Sequence, residues 1–289
     1  MNRDLLSHIV SLIPTFSKGQ KYIARYITEH YDKAAFMTAS RLGAIVGVSE
    51  STVVRFASEL GFEGYPELQK ALQEMIRNKL TSVQRIEVST DILGGGDILE
   101  KVLNSDIDKI KKTLTDVSRE DFDGAVEAIV KARKVYIFGV RSSAALASFL
   151  GFYFNLILDN VMLIHTTSDS EVFEQILHVG QEDAVIGVSF PRYSSRTVRA
   201  MKYSSDRGAT VISITDSNLS PLYQYSKYNL LAKSDMASFV DSLVAPLSLI
   251  NALIAAVGKK RQNEVYETFA ELERIWEEYD VYEKAESES

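Results

Sequence analysis

The chain has 289 residues, of which 46% are apolar and 25% charged, a composition typical of a globular protein with about two domains. It contains no cysteine, which excludes disulfides and thiolate chemistry and fits a reducing cytoplasm. The net charge of −7 argues against nucleic-acid binding over the whole surface, but the charge is unevenly distributed. Residues 1–80 carry 10 Lys/Arg against 8 Asp/Glu, whereas residues 261–289 carry 3 against 10. A DNA-facing first domain is compatible with these numbers.

The first 80 residues predict a compact all-helical domain. Pro14 ends a short amphipathic helix that starts at Arg3, and Ser17 is placed to cap a second helix that runs to His30. Pro66 suits the first turn of a last helix that ends near Leu80.

A helix-turn-helix is predicted between Met37 and Gly64. Its first helix covers Ala39–Val46, Gly47 turns the chain, and Ser49 caps a second helix that ends near Leu60. Gly43 is small enough to let the two helices approach closely, while apolar residues at helical spacing face inward. An ordinary helical hairpin is the alternative. The residues left at the front of the second helix, which we expect to contact phosphates and base edges in a major groove, are Ser49, Glu50, Ser51, Thr52 and Arg55.

Residues 81–96 are polar and end in three glycines, so we interpret them as a flexible interdomain linker. No strand precedes this glycine run and no Lys-Ser/Thr pair follows it, so it does not predict a phosphate cradle. The second domain is expected at 97–260, and residues 261–289 are expected to form an acidic helix and tail.

The second domain is predicted to be α/β. Two amphipathic helices, Asp97–Val117 and Asp121–Ala132, precede short apolar runs that alternate with helical stretches. Apolar strands that alternate with helices predict a five-stranded parallel sheet with helices on both faces. The strands are expected at 135–139, 161–164, 184–189, 210–215 and 228–231. The most apolar run, Phe239–Val257, contains Asp241, Pro246 and Asn251, so it predicts a buried helix rather than a membrane span.

Two loops at strand ends predict an anion site. Both combine serines with arginines at the start of a helix, where free N–H groups and the helix dipole favour negative charge. They are Gly139–Ser143, which contains Arg141, and Ser189–Thr197, which contains Arg192 and Arg196. Guanidinium groups bind phosphate or carboxylate in a bidentate manner, so the loops favour a phosphorylated small molecule. The alternative is that these serines only cap helices.

The two halves resemble a known combination of domains. The stretch VSESTVVRFASELGFEGYPEL, residues 48–68, resembles the RpiR family of bacterial transcriptional regulators, and the second half resembles the sugar isomerase (SIS) domain with which that family senses phosphosugars. The resemblance implies a flavodoxin-like strand order. It also implies phosphate ligation by Ser143, Ser189 and Ser194.

This sequence departs from the usual SIS loops. In the first loop, GxGxS, Arg141 replaces the second glycine. In the second, SxSGxT, Pro191 replaces the second serine, Arg192 replaces the glycine and Ser194 takes the threonine position. A more acidic ligand or a different pose is a fair hypothesis. The ligand-binding residues that we predict are Gly139, Arg141, Ser142, Ser143, Glu171, Ser189, Arg192, Ser194 and Ser195.

Isomerisation of a phosphosugar would need a general acid and base, for which His165 and Glu171 are the candidates. Each also has a simple structural role, as a strand-end hydrogen-bonding group and as a helix N-terminal charge. No His/Asp/Glu spacing predicts a metal site, and no cofactor or catalytic residue is expected.

The sequence therefore predicts a cytoplasmic regulator that binds a palindromic double-stranded DNA operator as a homodimer or homotetramer and responds to a phosphosugar or related anion. The helices Asp97–Val117 and Asp241–Val257 are the candidate dimerisation surfaces, although both can equally be core. Two alternatives remain open, a phosphosugar isomerase with an accessory helical domain and a metabolite-binding protein whose helical domain contacts protein.

Overall fold

The computed structural model describes residues 5–76, 81, 83–86, 96–166, 168–236 and 238–282, with the backbone alone at 74 and 76. The chain forms two compact units. The first consists of Met1–Ser105 together with Asp235–Ser242, and the second of Asp106–Ser234 together with Leu243–Ser289.

Helices α1 to α6, among the described residues of the first unit, pack around one apolar core. Phe56, Leu42 and Leu68 lie at its centre and are fully buried. Ser17 and Gln20 form a reciprocal capping box at the start of α2, and the Thr38 hydroxyl accepts a hydrogen bond from the Arg41 amide at the start of α4. The helices are α1 (Leu5–Leu12), α2 (Lys18–Glu29), α3 (Tyr31–Ala34), α4 (Ala39–Val46), α5 (Glu50–Glu59) and α6 (Tyr65–Ile76).

The predicted helix-turn-helix is confirmed, since α4 begins and ends where the sequence predicts and Ser49 caps α5. The end of α6 near Leu80 and the glycines at 94 and 95 lie outside the described residues. The predicted linker differs from the structure at 83–86, where the chain forms a helical turn. Thr81 and Gln84 cap this turn reciprocally, and the side-chain Nε2 of Gln84 also donates to the Asp32 carboxylate at 3.1 Å.

The second unit contains the predicted α/β domain. Two helices, α7 (Ile98–Asp116) and α8 (Arg119–Lys131), precede the sheet, and the unit begins within α7. The sheet and its helices follow in the order β1 (Val135–Gly139), α9 (Ser142–Ile157), β2 (Val161–Ile164), α10 (Asp169–Gln175), β3 (Ala184–Val188), α11 (Ser195–Asp206), β4 (Thr210–Thr215), β5 (Tyr228–Leu231), α12 (Val244–Lys260) and α13 (Gln262–Glu278).

All strand pairs are parallel, and the strand order β2-β1-β3-β4-β5 confirms the predicted five-stranded sheet of flavodoxin-like order. One apolar cluster fills the face covered by α8, α9 and α12, and a second fills the face covered by α10 and α11. The β1 and β3 strands are neighbours although α9 and α11 cover opposite faces. The strand order therefore reverses between β1 and β3. Open α/β sheets bind ligands at such a topological switch point.

The last apolar helix starts later than its sequence predicts. Asp241 was expected to open this helix, but it forms an isolated antiparallel bridge with Met236, and α12 begins at Val244. One side of α12 is core, since Leu249, Ile250 and Leu253 are buried against the sheet. The acidic helix is present as α13, whereas residues 283–289 of the predicted tail lie outside the described part. None of the described helices combines the length and apolarity of a membrane span.

Candidate functional sites

The turn between α4 and α5 depends on two glycines. A Cβ on Gly43 would lie 2.8 Å from the Val48 carbonyl oxygen, a distance that real side chains do not adopt, so only glycine permits this approach. Gly47 has φ +74°, in the left-handed region where glycine carries no steric penalty. The two positions fix how α5 leaves the turn.

Every side chain predicted to face DNA lies on the surface of α5 or at its cap. Ser49, Glu50, Ser51 and Arg55 are exposed and Thr52 is half-buried. The Ser49 hydroxyl accepts from the Thr52 amide and lies 2.9 Å from both the Ser51 and the Thr52 hydroxyl oxygens. Arg55 Nε donates to the Ser51 carbonyl oxygen at 3.3 Å, which keeps the guanidinium beside the first turn of α5. The hydroxyl cluster therefore presents donors and acceptors at the end of the helix that carries the partial positive charge.

The structure adds the start of α2 to this surface, which the sequence did not indicate as a binding element. A concavity of about 470 Å³ is lined from α2 by Ser17, Gly19 and Gln20 and from the α5 side by Val48, Ser49, Thr52, Arg55 and Glu59. A Cβ on Gly19 would lie 3.2 Å from Val48 Cγ1, so α2 passes close to the turn at this glycine. The Ser-x-x-Gln capping box was the sequence signal that placed a helix N-terminus here, but only folding brings it beside α5.

The two predicted anion loops start at the same level of the sheet. Gly139 at the end of β1 pairs in register with Val188 at the end of β3, so the loop after each strand begins at a shared edge. A Cβ on Gly139 would lie 2.7 Å from the Ser143 carbonyl oxygen, so glycine is required where β1 meets the start of α9. Ser143 and Ser189 are almost fully buried, with 5% and 3% of their surface exposed.

Arg141 occupies a backbone conformation that suits glycine. Its φ of 58° and ψ of −129° fall where a Cβ is strained, and it is the N-cap position of α9. The arginine therefore stands, at the position of the second glycine in the usual SIS loop, in a conformation that glycine adopts without strain. Its side chain is exposed, as are Ser142 and Arg192.

The second loop leads into α11 through Ser194, which is the N-cap residue, and Ser195 follows it, exposed, as the first helical residue. The Ser189 hydroxyl accepts a hydrogen bond from the Ser194 amide at 3.4 Å, so the loop folds back on the end of β3. Behind it, the buried Thr215 hydroxyl donates to the Ser189 carbonyl oxygen at 2.8 Å. This support from the end of β4 was not predicted, because it links residues that are 26 positions apart.

The arginines of the two loops and of α11 divide into two groups. Arg196 and Arg199 both bind the Asp169 carboxylate at the start of α10, and the hydrogen bond from Arg196 is the main cause that holds the pKa of Asp169 below its usual range. Arg196 was one of the guanidinium groups expected to serve an anion, but Asp169 already compensates its charge. Arg141 and Arg192, in contrast, form no ion pair with any carboxylate of the described residues.

The end of β2 supplies the remaining predicted residues. His165 and Glu171 are both exposed, the former with its Nε2 3.4 Å from the Ser148 hydroxyl oxygen. The Thr166 hydroxyl donates to the Glu171 carboxylate, and the Thr166 carbonyl oxygen accepts from Arg196. His165 and Glu171 thus each have one side-chain partner within the chain, and Glu171 also lies in the first turn of α10. Across the described residues, no three His, Asp or Glu side chains group as a metal site would need.

Comparison with known proteins identifies both parts of the chain. The family model for the helix-turn-helix domain of the rpiR family matches residues 3–79, and the model for the SIS domain matches residues 128–256. The chain belongs to the RpiR family of transcriptional regulators. The sequence-based resemblance is thereby confirmed.

Relatives of this RpiR-family chain match along most of its length. An uncharacterised HTH-type transcriptional regulator of Caldanaerobacter subterraneus subsp. tengcongensis is 24% identical over 91% of this chain and 93% of its own. HexR, an HTH-type transcriptional regulator of Pseudomonas aeruginosa, is 23% identical over 90% of both chains.

Two solved structures are similar in fold. The sugar isomerase domain of an RpiR transcription factor from Sphaerobacter thermophilus covers 60% of this chain and 97% of its own, with 28% identity and a TM-score of 0.58. NanR of Vibrio vulnificus, solved in complex with ManNAc-6P, covers 94% of this chain and 97% of its own, with 22% identity and a TM-score of 0.58. At that identity the NanR likeness concerns the fold.

Proposed function

We propose that this RpiR-family regulator binds a phosphorylated sugar or related anionic metabolite at the β1 and β3 loops, and that binding changes its affinity for an operator. The observation that carries the proposal is the pairing of two serine-containing loops at the β1/β3 switch point, each leading into a helix N-terminus. Oriented amides, hydroxyls and the helix dipole together favour an anion at such a place. We therefore also propose that this regulator is cytoplasmic, where it meets both DNA and the metabolite.

The charge distribution supports an anionic effector. Arg141 and Arg192 are exposed at the two loops and have no carboxylate partner within the described residues, so an anion would meet guanidinium groups whose charge is not yet compensated. Ser143, Ser189 and Ser194 are proposed to bind the phosphate, and the backbone at Gly139 is proposed to lie beside it, since glycine lets the start of the helix come close to the end of β1. The amides and hydroxyls of Ser142 and Ser195 and the carboxylate of Glu171 are proposed to contact the remainder of the ligand.

Isothermal titration calorimetry with a panel of phosphosugars tests the site. The panel includes ManNAc-6P, because the structurally similar NanR binds it, together with hexose and pentose phosphates and inorganic phosphate. We expect Arg141→Ala and Arg192→Ala each to lose about 1.5–3 kcal/mol of binding free energy if the guanidinium forms a charged hydrogen bond. Arg274→Ala is the matched control, because Arg274 lies on α13 and pairs with Glu271 and Glu278. Unchanged affinity in both loop variants would remove the arginines from the site.

We infer that the operator is palindromic and that a homodimer, or a tetramer built from dimers, presents paired α5 helices to it. A single first domain has a small positive charge excess, so useful affinity would come from pairing. The α7 helix is the candidate dimer surface, because it exposes apolar side chains that a second copy would bury. These are Ile98, Leu99, Leu103, Ile107, Ile110 and Leu114.

A gel shift with the DNA upstream of the protein's own coding region, with and without the phosphosugar panel, tests the regulatory part of the proposal. Retarded DNA whose midpoint moves with one phosphosugar is the expected result. Retardation that no panel member alters would contradict the effector role. If the DNA is not retarded at all, DNA binding is contradicted and the alternative of a metabolite-binding protein is favoured.

Isomerase activity is the second candidate, because His165 at the end of β2 and Glu171 in the first turn of α10 are both exposed, and β2 is the neighbour of β1 in the sheet. We propose binding without turnover, since each of the two already has a structural partner. Incubation of the protein with each phosphosugar, followed by chromatography of the products, decides between binding alone and isomerisation. Interconversion that is lost in Glu171→Gln would establish an enzyme.

A further inference from the structure

A short segment after the sheet belongs to the helical unit rather than to the sheet unit. We define the strap as residues 235–242, of which 237 lies outside the described residues. It follows β5 and precedes α12, yet it is part of the first unit. Met236 packs against the core of that unit and forms an antiparallel bridge with Asp241. The chain thus enters the helical unit a second time, at Asp235, after it has left that unit at Ser105 within α7.

The strap is anchored there by a buried ion pair. Arg85 Nη1 lies 3.0 Å from Asp241 Oδ2, and the two side chains are only 8% and 14% exposed. Nε and Nη2 of Arg85 are buried without a hydrogen-bond partner in the described part of the chain, so Asp241 is the carboxylate that compensates this guanidinium. Because a buried charge is costly when it loses its partner, the pair holds the strap and the 83–86 turn together.

The chain segment that leads into the strap is hydrogen-bonded to the end of β4, which in turn supports the second anion loop. The Thr215 hydroxyl donates to the Ser189 carbonyl oxygen at 2.8 Å, and the Ala232 amide donates to the Thr215 carbonyl oxygen at 2.8 Å. All three residues are buried. Ala232 lies three positions before the strap, so a shift of the second loop has a short, packed route to it.

We propose that the strap carries the state of the anion site to the DNA-binding unit, with Arg85 and Asp241 as its anchor. The inference rests on the proposed function, since it names the element through which that effector acts. An effector changes operator affinity only if it binds two arrangements of the protein with different affinity. The strap offers such a pair of arrangements, docked and released, and an anion bound at Ser189 would favour one of them.

Asp241→Asn tests the anchor in the full chain, because it removes the charge and keeps the shape. We measure operator affinity by fluorescence anisotropy, using the upstream DNA fragment with and without the tightest-binding phosphosugar of the calorimetric panel. A coupling of the usual size changes operator affinity roughly 5–150-fold, and Asp241→Asn is expected to bring that change below about two-fold. Calorimetry should show that the phosphosugar still binds.

Asp116→Asn is the matched control. Asp116 pairs with Lys233 at 2.9 Å, two residues before the strap, but both residues belong to the sheet unit. This variant should respond to the phosphosugar as the wild type does. Should Asp241→Asn fail to fold, the double variant R85M/D241L replaces the buried pair by apolar side chains and should fold without responding. A wild-type response in either strap variant overturns the proposal.

If the wild-type protein binds no phosphosugar, the proposed function is refuted. Hydrogen exchange on the ligand-free chain then tests separately whether the Arg85–Asp241 pair anchors the strap. Asp241→Asn should accelerate amide exchange at both 83–86 and the strap by about tenfold or more, whereas Asp116→Asn should not. Unchanged exchange at both segments would overturn the anchor itself.

Discussion

Arg141 allows backbone strain and ligand charge to be separated by two substitutions at one position. Its φ of 58° and ψ of −129° cost on the order of 1–3 kcal/mol for a residue with a Cβ. Glycine relieves that strain but loses roughly 0.5–1 kcal/mol through the greater freedom of the unfolded chain. Arg141→Gly is therefore expected to stabilise the sheet unit by about 1 kcal/mol, which raises the Tm of a unit of this size by about 2–4 °C.

Arg141→Ala is the paired variant, because it loses the same guanidinium and keeps the Cβ. We expect its stability to stay within about 0.5 kcal/mol of the wild type. Differential scanning calorimetry of the full chain measures both variants, with the sheet unit followed as its own transition. Calorimetric titration with the phosphosugar panel should show the same loss of affinity in both.

The two measurements can fail independently. A glycine variant that melts at or below the wild-type temperature would refute the argument from strain. An affinity that is lost in the alanine variant but kept in the glycine variant would mean that the loop path, rather than the guanidinium, determines binding.

Four further substitutions test other parts of the structure. Gly43→Ala should destabilise the helical unit by about 1–3 kcal/mol through overpacking against the Val48 carbonyl, measured by thermal unfolding, whereas Gly64→Ala, whose Cβ would meet nothing closer than 3.6 Å, should not. Burial raises the pKa of Tyr65 to about 12, so its contribution to stability is complete below about pH 10 and is lost as pH rises toward 12. Tyr65→Phe should therefore flatten the loss of stability in that window, and an equally steep loss would contradict the assignment. Arg55→Ala should weaken operator binding by ~1–3 kcal/mol if it contacts a base, or reduce the salt slope by about one if it contacts phosphate, and unaltered affinity would contradict either role. Ser189→Ala should keep DNA binding and blunt the phosphosugar response in the gel shift, whereas joint loss of both would indicate misfolding.

Local signals in the sequence were enough to predict most of the elements. Gly43, Gly47 and Ser49 define the turn because each position needs a residue with a special size, conformation or capping group. The strands were predicted closely because mostly apolar runs of four to six residues suit a sheet that is covered by helices on both faces. The GVRSS loop can be recognised although Arg141 replaces the second glycine of the usual motif, because Ser143 and the preceding strand β1 are retained.

The candidate sites were predicted less completely, because their surroundings come from distant parts of the chain. The concavity beside Arg55 includes Ser17 and Gly19, which are more than 35 positions away in the sequence. Arg196 has the residue type of an anion ligand, and only the fold shows that Asp169 neutralises it. No local pattern reports such a pairing.

The sequence alone determined that this protein has a helix-turn-helix unit followed by a parallel α/β sheet, because periodicity, caps and turn glycines act over a few residues. The tertiary structure alone decided where residues 235–242 belong. Asp241 stands directly before an apolar helical run, so local propensity assigned it to α12. Its buried pairing with Arg85, 156 positions earlier, places it in the helical unit instead. The reason is physical: burial of a guanidinium requires a compensating charge, and that charge can come from anywhere in the chain.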